Sequence, residues 1–258
     1  MTRERYCRPV SEPSMEERRL SFGQAAADYD AYRPTYPRAA IDWLLEGATR
    51  PVVDVADVGA GTGAFTNILV DAGLHVTAFE PDPGMIDQLA RRLPSVTRVV
   101  ASAERLTVPD GSFDALTVAQ AFHWFDAPVA AREFERVVRP GGVIGLLWNQ
   151  RDDRVAWMAA TRPIAEGEDW RRADANEATG ELAGYFPTIE RGEFAHLVPM
   201  TPDAIVGLVG TFSFVRLAPD RDERLDATRE LLATHPETRG RELIDVPYVT
   251  AVYRVKRP

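Results

Sequence analysis

The sequence has few of the features that mark secreted, metal-binding or membrane-spanning proteins. Its single cysteine, Cys7, cannot form a disulfide within the chain, which favours the reducing cytoplasm. Its four histidines are scattered without the spacing of metal ligands, so no bound metal is expected. The first residues are charged without an apolar core, and nowhere do ~18 apolar residues follow one another. These absences predict a soluble cytoplasmic protein with no secretory signal and no membrane span.

Positive charge is also scarce. The chain has 30 lysines and arginines against 39 aspartates and glutamates, a formal net charge of −9. Because phosphate binding depends on Lys and Arg, this balance argues against a broad nucleic-acid surface. At 258 residues the chain is long enough for one sizeable α/β domain. We therefore expect no nucleic-acid partner, and both a monomer and a homodimer remain open.

Strand and helix patterns alternate through the middle of the chain. Apolar runs predict strands over residues 52–58, 75–81, 96–102, 113–122 and 143–149. Helical periodicity and stop signals predict the intervening helices over residues 64–73, 83–94 and 126–142. This alternation indicates an α/β, Rossmann-like fold with a mostly parallel sheet, helices on both faces and right-handed crossovers.

The whole chain, residues 1–258, is predicted to form one domain with additions around that core. Its segments are a tail over 1–21, N-terminal helices over 22–46, a core over 47–150, a lid over 151–240 and a terminal strand over 241–258. The lid is mainly helical, including residues 222–235, with a strand near 191–198. We expect it to cover the carboxyl edge of the sheet.

Three glycines, Gly59, Gly61 and Gly63, follow the first predicted strand and precede a helix. Glycines in this position let backbone N–H groups and a ligand approach without a Cβ between them. The run from Gly59 to Ala64 also satisfies the dinucleotide pattern G-x-G-x-x-G/A, and Glu80 lies about 20 residues on. The pattern therefore predicts an adenosine-containing cofactor and leaves a nicotinamide dinucleotide open.

Asp57, two residues before the first glycine, distinguishes between the two kinds of cofactor. A pyrophosphate is already anionic, so a second anion at roughly 5 Å in a semi-enclosed site costs free energy. S-adenosylmethionine (SAM) carries an ammonium and a sulfonium group, which a carboxylate attracts. Glu80 is then placed to accept the ribose hydroxyl protons, and Met85 with Ser102–Glu104 to contact an adenine.

Five segments resemble the class I SAM-dependent methyltransferases. They are "DVGAGTG", "FEPDPGM", "ASAERL", "FDALTVAQAFHWFD" and "VVRPGG". The similarity is to the small-molecule branch that includes ubiquinone/menaquinone-biosynthesis and trans-aconitate type enzymes. More weakly, "FGQAAADYDAYRPTYP" is similar to the N-terminal segment of a bacterial subgroup, and "PY" at 247–248 to its final strand. Asp54 departs from the pattern, and we expect it to mark the start of the strand.

The resemblance implies a seven-stranded sheet with an antiparallel last strand, SAM across its carboxyl edge and S-adenosylhomocysteine as product. It also implies a cofactor site with the N-terminal helices folded over it, built from Tyr29, Arg33, Asp57, Gly59, Ala60, Gly61, Thr62, Gly63, Glu80, Pro81, Met85, Ser102, Ala103, Glu104, Gln120 and Ala121. Ala103 would act through its backbone N–H, and the tyrosines near Arg33 could instead only pack. The acceptor-pocket candidates are His123, Trp124, Thr211 and Ser213. His123 is the candidate general base, although a single histidine is more often structural.

These residues predict an enzyme that transfers the SAM methyl group to a small-molecule acceptor by in-line displacement. Two alternatives stay open. An NAD-dependent oxidoreductase would share the glycine pattern and Glu80, and a non-catalytic SAM-binding protein would share the cofactor site. A nucleic-acid or protein methyltransferase is a weaker third, because no NPPY-like tetrapeptide follows the fourth predicted strand.

Overall fold

The protein is described by a computed structural model that covers residues 34–166, 184–186 and 188–258. The predicted tail over 1–21, the cluster containing Tyr29 and Arg33, and part of the predicted lid lie outside these residues. No helix in the described ranges is long and apolar enough to cross a membrane.

In the described residues, seven strands form one sheet in the order β3-β2-β1-β4-β5-β7-β6. The strands are β1 Asp54–Val58, β2 His75–Phe79, β3 Thr97–Val99, β4 Phe113–Ala119, β5 Val138–Arg151, β6 Glu190–Met200 and β7 Ile244–Lys256. The pairs from β3 to β5 are parallel, whereas β7 runs antiparallel to both β5 and β6. The predicted mostly parallel sheet with an antiparallel last strand is confirmed.

Helices pack on both faces of this sheet. In chain order, the helices of the described residues are α1 Arg38–Leu45, α2 Ala64–Asp71, α3 Pro83–Arg92, α4 Ala127–Val137, α5 Ala156–Glu166, α6 Pro202–Thr211, α7 Ser213–Arg216 and α8 Arg221–Thr234. One core contains α1 and α2 side chains, and another contains the apolar stripe of α4. Close packing is visible at Gly145, where a Cβ would lie 2.3 Å from Leu44 Cδ1.

The predicted helix over 126–142 is too long. Helix α4 ends at Val137, and β5 begins with the next residue. The Arg139 side chain donates to the carboxylates of Asp54 and Asp114 and to the Gly111 carbonyl, all on other elements. These long-range contacts hold Arg139 in the extended segment, and the sequence around it gives no sign of them.

The fourth predicted strand is also too long, because β4 ends at Ala119 rather than at residue 122. Gln120 adopts a left-handed backbone with φ of 57°, which is costly for a residue with a Cβ. Its side-chain Nε2 donates to the Asn149 carbonyl at 3.0 Å, and its N–H donates to the Leu147 carbonyl at 2.9 Å. The chain then turns into a short 3-10 helix, Phe122–Trp124.

Part of the predicted lid forms a core of its own. Strand β6 and helix α8 agree with the elements predicted near 191–198 and over 222–235. Side chains of α5, α6 and α8 pack with Met200 at the end of β6 and with Ile244 and Val246 at the start of β7. This group of side chains, the lid core, therefore lies at the carboxyl edge of the parallel strands.

Candidate functional site

The glycine loop, residues 59–63, joins β1 to α2, and its glycines all have positive φ: 70°, 57° and 87°. At Gly59 a Cβ would lie 2.6 Å from Ala121 Cβ, and at Gly63 it would lie 2.8 Å from Leu89 Cγ. The N–H groups of Gly59 and Ala60 donate to the Phe79 carbonyl. Packing therefore fixes both ends of the loop against neighbouring elements.

Gly61, in the middle of the loop, has different surroundings. Among the described residues, a Cβ there would meet only the Met85 sulfur, at 3.8 Å. Its N–H donates to Glu80 Oε2 at 3.0 Å, while Glu80 Oε1 accepts from the Asp82 N–H at 3.0 Å. The Glu80 side chain is thus fixed at the end of β2, with 7% of the residue exposed. Contact of the Glu80 carboxylate with ribose hydroxyls stays a prediction.

Asp57 lies in the protein interior, with 1% of the residue exposed. Its Oδ2 accepts from the Thr66 hydroxyl at 2.6 Å, and its Oδ1 accepts from the Thr117 hydroxyl at 3.2 Å. Burial raises the pKa of Asp57 to about 6; the two hydroxyls oppose that shift, and the nearby charge of Glu80 adds to it. Asp57 joins β1, β4 and α2 beneath the glycine loop. Its described hydrogen bonds are with these hydroxyls, and its contact with a cofactor stays a prediction.

The candidates on the adenine side lie in the loop after β3. Ala103 is buried in the core that contains α4. Glu104 Oε1 accepts from the Asp126 N–H at 2.9 Å, just before α4, and the Ser102 carbonyl accepts from the Arg105 N–H. The loop is therefore attached to the beginning of α4. Contact of these three residues with an adenine stays a prediction, as does a role for Pro81.

The chain after β4 is packed directly on the glycine loop. A Cβ at Gly59 would meet Ala121 at 2.6 Å and Phe125 at 3.2 Å. His123 is exposed, and its ring lies 4.6 Å from that of Trp124, which packs partly on the core. The structure thus brings the predicted acceptor residues His123 and Trp124 to the same edge as the loop. The role of His123 as a base stays a prediction.

The other two acceptor candidates lie in the region of the lid core. Thr211 is buried at the end of α6, where its hydroxyl donates to the Leu208 carbonyl at 2.6 Å. Ser213 begins α7. The Thr211 hydroxyl is therefore engaged within its own helix, and a pocket role for either residue stays a prediction.

The segment before α1 is anchored at the same edge, through contacts that the sequence analysis missed. Asn149 Nδ2 donates to the Thr35 carbonyl at 3.0 Å, and His196 Nε2 lies 3.2 Å from that oxygen. The Tyr36 ring packs edge-on against Phe65 of α2 at 4.9 Å. The chain that follows residue 33 is therefore held beside the glycine loop and the end of β5.

The hydrogen bonds of Thr66 and Thr117 to Asp57 were also not predicted, although the position of Thr117 in the sequence indicates a polar partner. Thr117 is the one hydroxyl residue in the apolar run of β4, and such a residue in a buried strand needs a polar partner. Among the described residues, no group of three or more His, Cys, Asp or Glu side chains is placed to hold a metal ion.

The sequence matches a family model described as a methyltransferase domain over residues 56–146. An uncharacterized methyltransferase of Mycobacterium tuberculosis is 41% identical over 243 residues, which is 93% of this chain and 97% of the relative. These matches include the glycine loop, Glu80 and the chain after β4.

Solved structures show the same fold. A candidate type II methyltransferase from Anaeromyxobacter dehalogenans superposes with a TM-score of 0.69 and 30% identity, over 87% of this chain and 98% of that one. Phosphoethanolamine N-methyltransferase 2 of Haemonchus contortus, solved with phosphomonomethylethanolamine and S-adenosylhomocysteine, superposes with a TM-score of 0.55 and 14% identity, over 96% of this chain and 60% of that one. With this sheet, this loop and a relative that matches almost from end to end, the chain belongs to the class I methyltransferases, in the methyltransferase type 11 branch.

Proposed function

We propose that the protein transfers a methyl group from SAM to a small-molecule acceptor and releases S-adenosylhomocysteine. The observation that carries this proposal is the corner formed by Glu80 and Gly61 at the carboxyl edge of the sheet. There a buried carboxylate is held in place next to a backbone position at which a Cβ would meet, among the described residues, only the Met85 sulfur. Ligands of open α/β sheets bind at this edge, so the corner suits a nucleoside.

The residues around the corner fit the chemical groups of SAM. Glu80 would accept the two ribose hydroxyls, and Gly61 would let the nucleoside approach the backbone. Met85, which lies next to Gly61, offers an apolar contact to an adenine. Asp57 and Glu80 add negative charge near a ligand whose ammonium and sulfonium groups are positive.

When bound, SAM supplies a methyl group that its sulfonium already activates. The protein's contribution is to orient the acceptor, to exclude water and to remove a proton where the acceptor carries one. Alignment alone can lower the barrier by ~7–11 kcal/mol in favourable systems. His123, exposed on the edge beside Trp124, is the side chain we assign to take up such a proton.

The alternatives have no support of their own. Membership of a methyltransferase family opposes an NAD-dependent oxidoreductase, although the glycine pattern alone does not separate the two. A non-catalytic SAM-binding protein is an outcome of the test below, because it would bind the cofactor without transferring a methyl group.

The test is transfer of radiolabel from methyl-labelled SAM to the small-molecule fraction of a bacterial extract. We expect labelled product with the wild-type protein and a large loss of product with Glu80→Ala. Binding of S-adenosylhomocysteine without transfer to any fraction would identify a non-catalytic binder. Label only in protein or nucleic acid would contradict the small-molecule acceptor.

Two further expectations belong to this proposal. A cytoplasmic location follows from the cysteine content and is tested by cell fractionation. Monomer and homodimer are separated by light scattering coupled to size-exclusion chromatography.

A further inference from the structure

Asn149, near the carboxyl end of β5, makes hydrogen bonds with three other parts of the chain. Its Nδ2 donates to the Thr35 carbonyl at 3.0 Å and to the Pro34 carbonyl at 3.4 Å. Its Oδ1 accepts from the Thr250 hydroxyl of β7 at 2.6 Å. Its backbone carbonyl accepts from Gln120 Nε2 at 3.0 Å. Two carbonyl acceptors on one side and a hydroxyl donor on the other fix the orientation of the carboxamide.

One of these bonds connects Asn149 to the first glycine of the loop. Gln120 keeps its left-handed backbone with this bond and with a second one, from its N–H to the Leu147 carbonyl at 2.9 Å. The next residue, Ala121, packs on the loop so closely that a Cβ at Gly59 would lie 2.6 Å from its Cβ. The end of β5 therefore holds the chain that packs on Gly59.

Another of these bonds connects Asn149 to the last glycine of the loop. Next to Thr35, the Tyr36 ring lies edge-on at 4.9 Å from the Phe65 ring of α2. Phe65 comes two residues after Gly63, which immediately precedes α2. Asn149 therefore joins two series of contacts, one to each end of the glycine loop.

A second donor reaches the Thr35 carbonyl from β6. His196 Nε2 lies 3.2 Å from this oxygen, and since a carbonyl only accepts, the ring nitrogen is the donor. The His196 ring is stacked on Tyr248 of β7, with 5.7 Å between the centroids and 26° between the planes. A carbonyl oxygen has two lone pairs, so Asn149 and His196 together fill its capacity. The segment before α1 is thus held from two strands.

We propose that Asn149 is a positioning residue of the methyltransferase, which holds both ends of the glycine loop in the conformation that binds the nucleoside of the cofactor. Its carboxamide holds Thr35, and its backbone carbonyl holds Gln120. The inference rests on the proposed function, because the loop carries the corner of Gly61 and Glu80. Asn149 acts through the loop and needs no contact with a ligand.

The first measurement is hydrogen exchange of single glycine amides in the protein without ligand, followed by NMR after labelling with isotopic glycine. Asn149→Asp replaces the donor NH2 group by an oxygen, and Asn149→Ala removes it. We expect the amides of Gly59 and Gly61 to exchange about fivefold or more faster, the effect of one lost hydrogen bond. The amide of Gly111, which donates to the Arg136 carbonyl at 2.9 Å, is the internal reference and should not change. A loss of overall stability alone would not single out the loop.

The second measurement is calorimetric titration with S-adenosylhomocysteine at a temperature where each variant is folded. Asn149→Asp and Asn149→Ala should both weaken binding by about fivefold or more, with or without the added charge. His196→Phe keeps a stacked ring and loses the donor to Thr35, so it should weaken binding too. Asn67→Asp is the matched control, since Asn67 Nδ2 donates to Asp71 at 2.9 Å within α2. It should keep both the affinity and the exchange rates of the wild-type protein.

Unchanged exchange of the loop glycines in the Asn149 variants, unchanged affinity in these variants, or equal effects in Asn67→Asp would each overturn the proposal. If Asn149→Asp does not fold, Asn149→Ala and His196→Phe decide, because both remove a donor to the same carbonyl. Failure of the proposed function is distinguishable, because it appears as absent binding of S-adenosylhomocysteine by the wild-type protein. The exchange rates then still decide whether Asn149 holds the loop.

Discussion

Replacing Asp57 by asparagine removes a buried charge while preserving the shape of the side chain. The pKa of Asp57 rises from 3.8 to about 6, mainly through burial. A difference of about 2 units corresponds to about 3 kcal/mol, so the ionised carboxylate lowers the free energy of unfolding by about that amount above pH 6. We expect Asp57→Asn to raise the free energy of unfolding at pH 8 by about 1–3 kcal/mol, less any loss at the two threonine hydrogen bonds.

The sign of the pH dependence follows from the direction of the shift. A carboxyl group whose pKa is higher in the folded protein than in the unfolded chain stabilises the fold below the unfolded value of 3.8. That stability is lost as the pH rises through the folded value of about 6. The difference in the free energy of unfolding between wild type and Asp57→Asn should therefore be small near pH 4 and reach its full size by pH 7.

The same substitution should weaken cofactor binding, so stability and affinity are expected to change in opposite directions. Because only SAM carries the sulfonium charge, its affinity should fall more than that of S-adenosylhomocysteine. Urea unfolding at pH 4, 6 and 8 measures the first effect, and calorimetric titration of both nucleosides measures the second. Our reasoning is wrong if Asp57→Asn is less stable than wild type at pH 8, or if both nucleosides lose affinity equally.

Four other substitutions test the site. Thr66→Val leaves Asp57 Oδ2 without its hydroxyl donor and should lower the free energy of unfolding by ~1–3 kcal/mol at pH 8, with a smaller loss in the Asp57→Asn background. Glu80→Gln should weaken binding of S-adenosylhomocysteine by roughly 10- to 150-fold in calorimetry, the equivalent of the ~1.5–3 kcal/mol of a charged hydrogen bond. Gly59→Ala should reduce the melting temperature strongly because its Cβ would lie 2.6 Å from another side chain, whereas Gly61→Ala should keep more of the fold and lose nucleoside binding. Equal melting temperatures for the two glycine variants would contradict our view of the loop.

The features of the fold and of the candidate site that could be predicted from the sequence are those with a local signal. The spacing of Gly59, Gly61 and Gly63 between a strand and a helix, with Glu80 after the next strand, identified the loop and its acid. The final strand was visible through its alternation of apolar and polar residues. These features depend on residues close together in the chain, so a periodic pattern is enough to find them.

The predictions that failed depend on contacts between distant residues. Arg139 reaches Asp54 and Asp114, and these partners, 85 and 25 residues away, extend β5 into the predicted helix. The sequence also gave no sign that Thr66 and the more distant Thr117 donate to the two oxygens of Asp57, whose contact with a cofactor stays a prediction. Nothing in a strand's own pattern reveals which hydroxyl from another element will meet its acid.

We propose that the corner formed by Glu80 and Gly61 holds the nucleoside of SAM. Its most direct test is calorimetric titration of the wild-type protein with S-adenosylhomocysteine and, separately, with NADH. We predict saturable micromolar binding of S-adenosylhomocysteine and none of NADH. Binding of NADH in the absence of any binding of S-adenosylhomocysteine would refute the proposed function.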